Sequence, residues 1–130
     1  MRKLLAILFC ASMLCAWGRA VLTSPVTSTV PSKVSASAVG KAITAAATGL
    51  KWIPHTVDGK TIEAKLLVRS HELVVNIAYS SSQYTISYKS SKNLDYNEKK
   101  QTIHRKYAEW VRNLDVAIQK EIASPGSSKR

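Results

Sequence analysis

The residues with the most versatile chemistry in this 130-residue chain are three histidines, His55, His71 and His104. Histidine is both a frequent transition-metal ligand and a frequent general base. None of the three has a second metal-ligating residue at a spacing typical of a metal site. We interpret His55 and His71 as hydrogen-bonding groups at strand ends, and His104 as a residue at the border of a helix's apolar face. The sequence therefore predicts no metal site and no cofactor.

Serines and carboxylates are numerous, but their arrangement does not indicate catalysis. A serine nucleophile needs an activating base and an oxyanion hole, and the chain contains no G-x-S-x-G turn. The three serines at 80–82 are typical of a solvated hairpin loop. The carboxylates fall on predicted solvent-exposed faces or near a predicted helix start, which does not favour a general acid–base pair. We predict that the protein is not an enzyme and has no catalytic residues.

The aromatic residues of the predicted domain are all tryptophan or tyrosine, so each carries a polar group. Such side chains are common where one end is buried and the other meets water or a partner. We interpret them as core residues whose polar groups reach the rim of the core. They are Trp52, Trp110, Tyr79, Tyr84, Tyr88, Tyr96 and Tyr107.

The N-terminal segment has the order of a secretory signal. Arg2 and Lys3 precede an apolar run over residues 4–14, and small residues follow up to Ala20. The run is shorter than the roughly 20 residues that a membrane-spanning helix needs. We predict a signal peptide over residues 1–20, cut before Val21, with a cut before Arg19 as a second possibility.

A signal peptide predicts a periplasmic protein with no transmembrane span. The alternative is a membrane-anchored lipoprotein with its lipid on Cys15, but Leu14 stands where a small residue is expected. The cysteines, at positions 10 and 15, both lie inside the predicted signal, so the mature domain has no disulfide.

The charge of the chain favours anionic partners. Its formal net charge is +11, from 19 Lys and Arg against 8 Asp and Glu. Export makes nucleic acid an unsuitable partner. The expected partners are an envelope protein with an acidic surface or an anionic envelope component such as phospholipid headgroups or lipopolysaccharide.

Composition divides the rest of the chain into three parts. Residues 21–35 are rich in Ser, Thr, Val and Pro, with Pro25 and Pro31 blocking a helix, and predict a flexible linker. Residues 124–130 predict a disordered C-terminal tail that starts at Pro125 and Gly126. Residues 36–123 are left as a single domain.

Hydrophobic periodicity assigns the elements of that domain. Apolar residues over 36–50 recur at helical spacing, with Ser35 or Ser37 as N-cap. The period then changes to two and predicts strands up to Lys89, the first an edge strand because it contains Pro54.

A second amphipathic helix is predicted from about Tyr96 to Ile122. Asp95 and Glu98 stand at capping-box spacing before it, and Trp110 is expected at the centre of its apolar stripe.

These elements predict an α+β fold: an antiparallel meander of three to four strands with two helices packed on one face, in the order α-β-β-β-β-α. The other sheet face is then open. We expect it to carry a small docking patch in which apolar residues are ringed by basic and polar ones. The residues predicted for this interaction face are Lys65, Leu67, Arg69, Val74, Asn76 and Ser87.

Several separated segments of the chain resemble a group of short uncharacterised proteobacterial envelope proteins that are often described as lipoproteins. The resemblance implies an envelope location and a single domain, and it implies no activity. The weak lipid-attachment site is a departure from the group. The segments are Trp52-Ile53-Pro54-His55, Val68-Arg69-Ser70-His71, Tyr84-Thr85-Ile86-Ser87-Tyr88, Ser91-Lys92-Asn93-Leu94-Asp95-Tyr96 and Ile103-His104, with Tyr107, Trp110, Val111 and Leu114 beyond them.

Two functions remain for such a protein. The first is a small exported interaction or binding module without enzymatic activity. The alternative is a small hydrolase, or a metal- or ligand-binding protein, that uses a histidine near a strand end.

Overall fold

The computed structural model of the protein describes residues 19–21, 25–31 and 34–123. Most of the predicted signal peptide, including Cys10 and Cys15, lies outside the described residues. The predicted tail over 124–130 lies outside them as well.

The described chain forms two helices and seven strands. The helices are α1 (Ala36–Gly49) and α2 (Lys106–Ala123). The strands are β1 (Arg19–Val21), β2 (Val26–Thr29), β3 (Trp52–Asp58), β4 (Thr61–Val68), β5 (His71–Tyr79), β6 (Gln83–Lys92) and β7 (Thr102–His104). Five strands make one antiparallel sheet in the order β2-β6-β5-β4-β3, and β1 pairs with β7 separately. The α+β class is therefore confirmed.

Strand β2 corrects the predicted linker over 21–35. Val26 pairs with Ile86 and Thr29 with Gln83, and Val30 just after the strand is buried. Its residues are Val-Thr-Ser-Thr, which suit a pleated strand because three of the four are β-branched. The prolines at 25 and 31 flank this edge strand rather than interrupting it. The sheet therefore has five strands instead of three to four, and strands precede α1 in the chain order.

Helix α1 begins and ends at identifiable signals. The Ser35 hydroxyl accepts a hydrogen bond from the Ala38 N–H at 3.1 Å, which is an N-cap contact. The helix closes at Leu50, whose N–H donates to the carbonyls of Ala46 and Ala47. The Tyr79 ring lies so close to Gly40 that an added Cβ there would be 2.8 Å from the tyrosine hydroxyl. Small residues on α1 thus allow its close approach to β5.

Helix α2 begins at Lys106, ten residues after the predicted Tyr96. Asn97 and Thr102 exchange two backbone hydrogen bonds, at 2.8 and 3.2 Å, and close a turn. Asp95 and Gln101 have φ of 55° and 54°, a left-handed conformation that no α-helix contains. The capping-box prediction is therefore wrong, and the residues before α2 form a turn and the short strand β7.

Both helices and one face of the sheet enclose a single core. Alternate residues of β4, β5 and β6 point into it, and so do the apolar stripes of α1 and α2. The fully buried side chains include Ile43, Ile62, Ile77, Tyr84, Leu114 and Ile118. Both helices therefore cover the same sheet face.

Trp110 lies at the border of the α2 stripe and not at its centre. The buried line consists of Tyr107, Val111, Leu114 and Ile118, while Trp110 is only partly buried against the core. Burial raises the pKa of Tyr107 to about 12. The tryptophan was expected to be the main packing residue of α2, and Leu114 takes that position.

A group of polar contacts joins α2 to the sheet. The hydroxyl of the fully buried Tyr84 donates to Asp115 Oδ1 at 2.6 Å, and the Ser28 hydroxyl donates to the same oxygen at 2.8 Å. Gln119 Nε2 lies 3.2 Å from that oxygen. Burial, together with the hydrogen bond to Asp115, raises the pKa of Tyr84. Strands β2 and β6 are thereby tied to one border of α2.

We expect Leu114→Ala to lower the free energy of unfolding by about 2–5 kcal/mol, because it leaves a cavity at a fully buried position. Val116→Ala is the matched control, since Val116 is 46% exposed on the same helix; its effect should be about 0.5 kcal/mol or less. Urea melts of both variants make the comparison. Equal midpoints would contradict the orientation of α2, in which Leu114 faces the core and Val116 faces solvent.

Candidate functional site

The structure brings most of the predicted interaction residues onto the open face of the sheet. Lys65 lies opposite Val74, and Asn76 lies opposite Ser87. Residues that pair directly across strands lie on the same face of the sheet. Leu67 lies on the same face as Lys65, because side chains two residues apart along a strand point to the same side. Arg69 lies apart, in the turn after β4, with φ of 56°.

Exposure on this face differs from the expectation at two positions. Val74 was predicted as a docking residue but is only 6% exposed. Ile53 on β3 was not predicted. It lies opposite Lys65 and is 56% exposed, close to the 54% of Leu67. Lys65 thus has two exposed apolar neighbours, Ile53 across the strand pair and Leu67 along its own strand.

A β-bulge arranges the charges of the open face. The register shifts between Val74 and Val75, which leaves Lys89 on β6 as the extra residue. The Lys89 ammonium forms an ion pair with Glu63, and this hydrogen bond lowers the pKa of the Glu63 carboxyl. Lys65 takes part in no ion pair among the described residues.

Two of the three histidines come together at one end of the sheet. His71 begins β5 and His104 ends β7, and their ring centroids are 6.0 Å apart. The Trp110 ring is 6.5 Å from that of His71. His55 is elsewhere, on β3 opposite Glu63. Sequence spacing missed this pair because only the pairing of distant segments brings the two histidines together.

Backbone contacts determine which nitrogen of each ring carries the proton. His71 Nδ1 lies 2.6 Å from the Asn93 carbonyl oxygen, which only accepts, so Nδ1 is the donor. His104 Nδ1 accepts from the Lys106 N–H at 3.1 Å. In their neutral forms, His71 therefore presents a lone pair at Nε2 and His104 presents an N–H at Nε2.

Asn93 holds this region together. Its side-chain amide donates to the Ser70 carbonyl at 2.7 Å while its own carbonyl accepts from His71. Its φ of 60° is left-handed, a conformation that asparagine tolerates better than most residues. The next residue, Leu94, accepts from the His104 N–H at 2.7 Å. The segment after β6 therefore connects the β4–β5 turn to β7.

The paired histidines line a cavity of about 410 Å³. Its other lining residues are Val68, Arg69, Lys106 and Trp110, so four of the six are basic and none is acidic. A second cavity, of about 330 Å³, is lined mainly by apolar side chains. Val68 and Trp110 line both cavities, which therefore adjoin.

Within the described part of the chain, no group of three or more His, Cys, Asp or Glu residues is placed to hold a metal ion. Among the same residues, no helix is both long and apolar enough to cross a bilayer. Comparisons with protein-family models, with curated proteins and with solved structures found no match.

The histidine tautomers can be tested directly. In a two-dimensional ¹⁵N–¹H NMR spectrum of the neutral side chains, we expect the Nδ1–H form for His71 and the Nε2–H form for His104. The cause is the opposite polarity of their backbone partners. Resonances are assigned with His71→Gln and His104→Gln. Two Nε2–H patterns would contradict the contact between His71 and Asn93.

Proposed function

We propose that the protein is an exported binding module without enzymatic activity, and that its open sheet face contacts an anionic component of the envelope. The observation that carries the proposal is the placement of two apolar side chains, each more than half exposed, next to Lys65: Ile53 lies directly across from it on β3, and Leu67 lies two residues further along β4. Large apolar side chains next to a cation, in an otherwise polar surface, are typical of a site that a partner covers.

Anionic phospholipid is the occupant that best suits this face. Apolar side chains enter the boundary between headgroups and acyl chains, and each nearby lysine contributes about 1 kcal/mol at an anionic surface. Cleavage before Val21 removes Arg2, Lys3 and Arg19, which leaves 16 basic against 8 acidic residues, and the remaining formal charge of +8 adds long-range attraction.

Export is part of this proposal and rests on the sequence. Arg2, Lys3 and the apolar run that follows support a cleavable signal, and the resemblance to envelope proteins supports the same compartment. Cleavage before Val21 removes Arg19 and Ala20, two of the three β1 residues, and leaves the five-stranded sheet and both helices intact. Periplasmic location follows from cleavage, and attachment through a lipid on Cys15 is the alternative. Either location brings the open face near anionic lipid.

The pairing of His71 and His104 favours a second candidate function, the binding of a ligand at the histidine cavity. The sequence left open a hydrolase, a metal site or a ligand site near a strand end. The lining of this cavity supports the ligand site, because its charged groups are all basic. A hydrolase would also need a nucleophile next to a base, and the residues that line the cavity offer none.

The test of the open face is sedimentation with vesicles of phosphatidylglycerol or of phosphatidylcholine. The wild-type protein should bind the anionic phosphatidylglycerol vesicles and should not bind the zwitterionic phosphatidylcholine vesicles. Ile53→Thr with Lys65→Gln should weaken binding by about tenfold, since it removes one apolar contact and one charge while threonine still suits a strand.

The control makes closely similar changes elsewhere, since Val116→Thr and Lys120→Gln also replace one exposed β-branched apolar side chain and one lysine, on the surface of α2. It should bind as the wild type does. Equal loss in both variants would mean that net charge alone drives binding. No binding of the wild type to anionic vesicles would overturn lipid as the occupant of this face.

A further inference from the structure

The two adjoining cavities at the end of the sheet form a single site with a basic part and an apolar part. We propose that this site binds an amphiphilic anion, with a carboxylate or phosphate group between His71, His104, Arg69 and Lys106 and an apolar chain in the neighbouring cavity. The inference rests on the second candidate function, ligand binding at the histidines. It shares Leu67 with the open sheet face, but neither Ile53 nor Lys65 lines the two cavities.

The basic cavity has several donors for an anion, and its lining residues include no carboxylate that would repel one. Arg69 and Lys106 supply cations, and His104 supplies its Nε2–H. Lys106 also contacts Glu109 at 3.4 Å, but both side chains are about half exposed. Such a surface ion pair contributes little, so Lys106 is free to contact a ligand. Arginine and lysine are the usual partners of carboxylate and phosphate.

The start of α2 adds to this preference. Lys106 is the first residue of the 18-residue helix, and it lines the cavity. The unpaired N–H groups and the positive dipole end of a helix favour a nearby anion. Because the Lys106 N–H donates to the His104 ring, helix start and histidine are linked in one hydrogen-bonded unit.

The histidine tautomers favour an anion over a metal cation. A metal ion needs a lone pair from each histidine, but the neutral His104 ring offers its lone pair to the Lys106 N–H and not to the cavity. His71 accepts at Nε2 when neutral and donates there when protonated, so it suits the protonated or the ionised oxygen of a phosphate.

The second cavity provides for an apolar chain. Its walls include Leu50, Trp52 and Leu66, with Trp110 and Val68 shared with the basic cavity. Both volumes, about 330 and 410 Å³, fall in the range of roughly 300–1,000 Å³ that is usual for ligand pockets. The partial burial of Trp110 fits this arrangement, because its ring forms a wall of both cavities instead of filling the core.

The experiment compares decyl phosphate, decanoate, inorganic phosphate and decanol by isothermal titration calorimetry, with the two amphiphilic anions below their micelle-forming concentrations and decanol below its solubility limit. Decyl phosphate or decanoate should bind at least about tenfold tighter than either half alone, since only they fill both cavities. Whichever of these two anions binds more tightly shows whether the basic cavity prefers a phosphate or a carboxylate. Equal affinity for decanol, or for inorganic phosphate, would overturn the two-part site.

Arg69→Gly with Lys106→Gln removes two of the cations at positions where the fold tolerates the change. Arg69 has a left-handed backbone that suits glycine, and Lys106 lies at a helix start where a positive charge is unfavourable. We expect about tenfold weaker binding of the amphiphilic anion and an unchanged or higher Tm.

The control, Lys99→Gln with Lys120→Gln, removes the same charge from residues that line neither of the two cavities and should bind normally. Equal weakening in both variants would show attraction by net charge and overturn the site. The Ile53→Thr, Lys65→Gln variant alters neither cavity. It should bind the amphiphilic anion as the wild type does. A failure of the open-face proposal can therefore be told apart from a failure of this one.

Discussion

The position of α2 on the sheet depends on the hydrogen bonds that Asp115 accepts. Tyr84 is fully buried in β6, and its hydroxyl reaches the Asp115 carboxylate, which also accepts from Ser28 on the edge strand β2. A buried hydroxyl without a partner costs about 1–3 kcal/mol, so this contact strongly favours one rotation of the helix. One carboxylate therefore links the edge strand to the helix, in addition to the pairing of β2 with β6 and the buried apolar stripe of α2.

This rotation determines where the opposite border of α2 lies. Trp110 is five residues before Asp115, which places it about 140° around the helix. With Asp115 held at the β2–β6 side, Trp110 faces Val68 at the end of β4 and approaches His71. The same helix start contacts His104 through the Lys106 N–H. A polar contact in the core thus positions the walls of the cavities on the far side.

The sequence predicted those elements that are marked by residues close together in the chain, such as alternating strands and helix caps. The alternation along β4, β5 and β6 was predicted correctly, and the N-cap of α1 is Ser35, one of the two serines predicted for it. Strand β2 was missed because flanking prolines and hydroxyl residues are also typical of linkers. The start of α2 was placed too early because Ile103 precedes Tyr107 by four residues and imitates a helical stripe. Pairing of His71 with His104 depends on long-range topology, for which no local signal exists.

The most direct test of this account is a double-mutant cycle on the free energy of unfolding with Tyr84→Phe, Asp115→Ala and the double variant. The hydrogen bond of a buried hydroxyl to a carboxylate predicts a coupling energy of about 1.5–3 kcal/mol. The loss from the double variant should then be smaller than the sum of the two single losses by that amount. Additivity within about 0.3–0.5 kcal/mol would contradict the claim that this contact fixes α2 on the sheet.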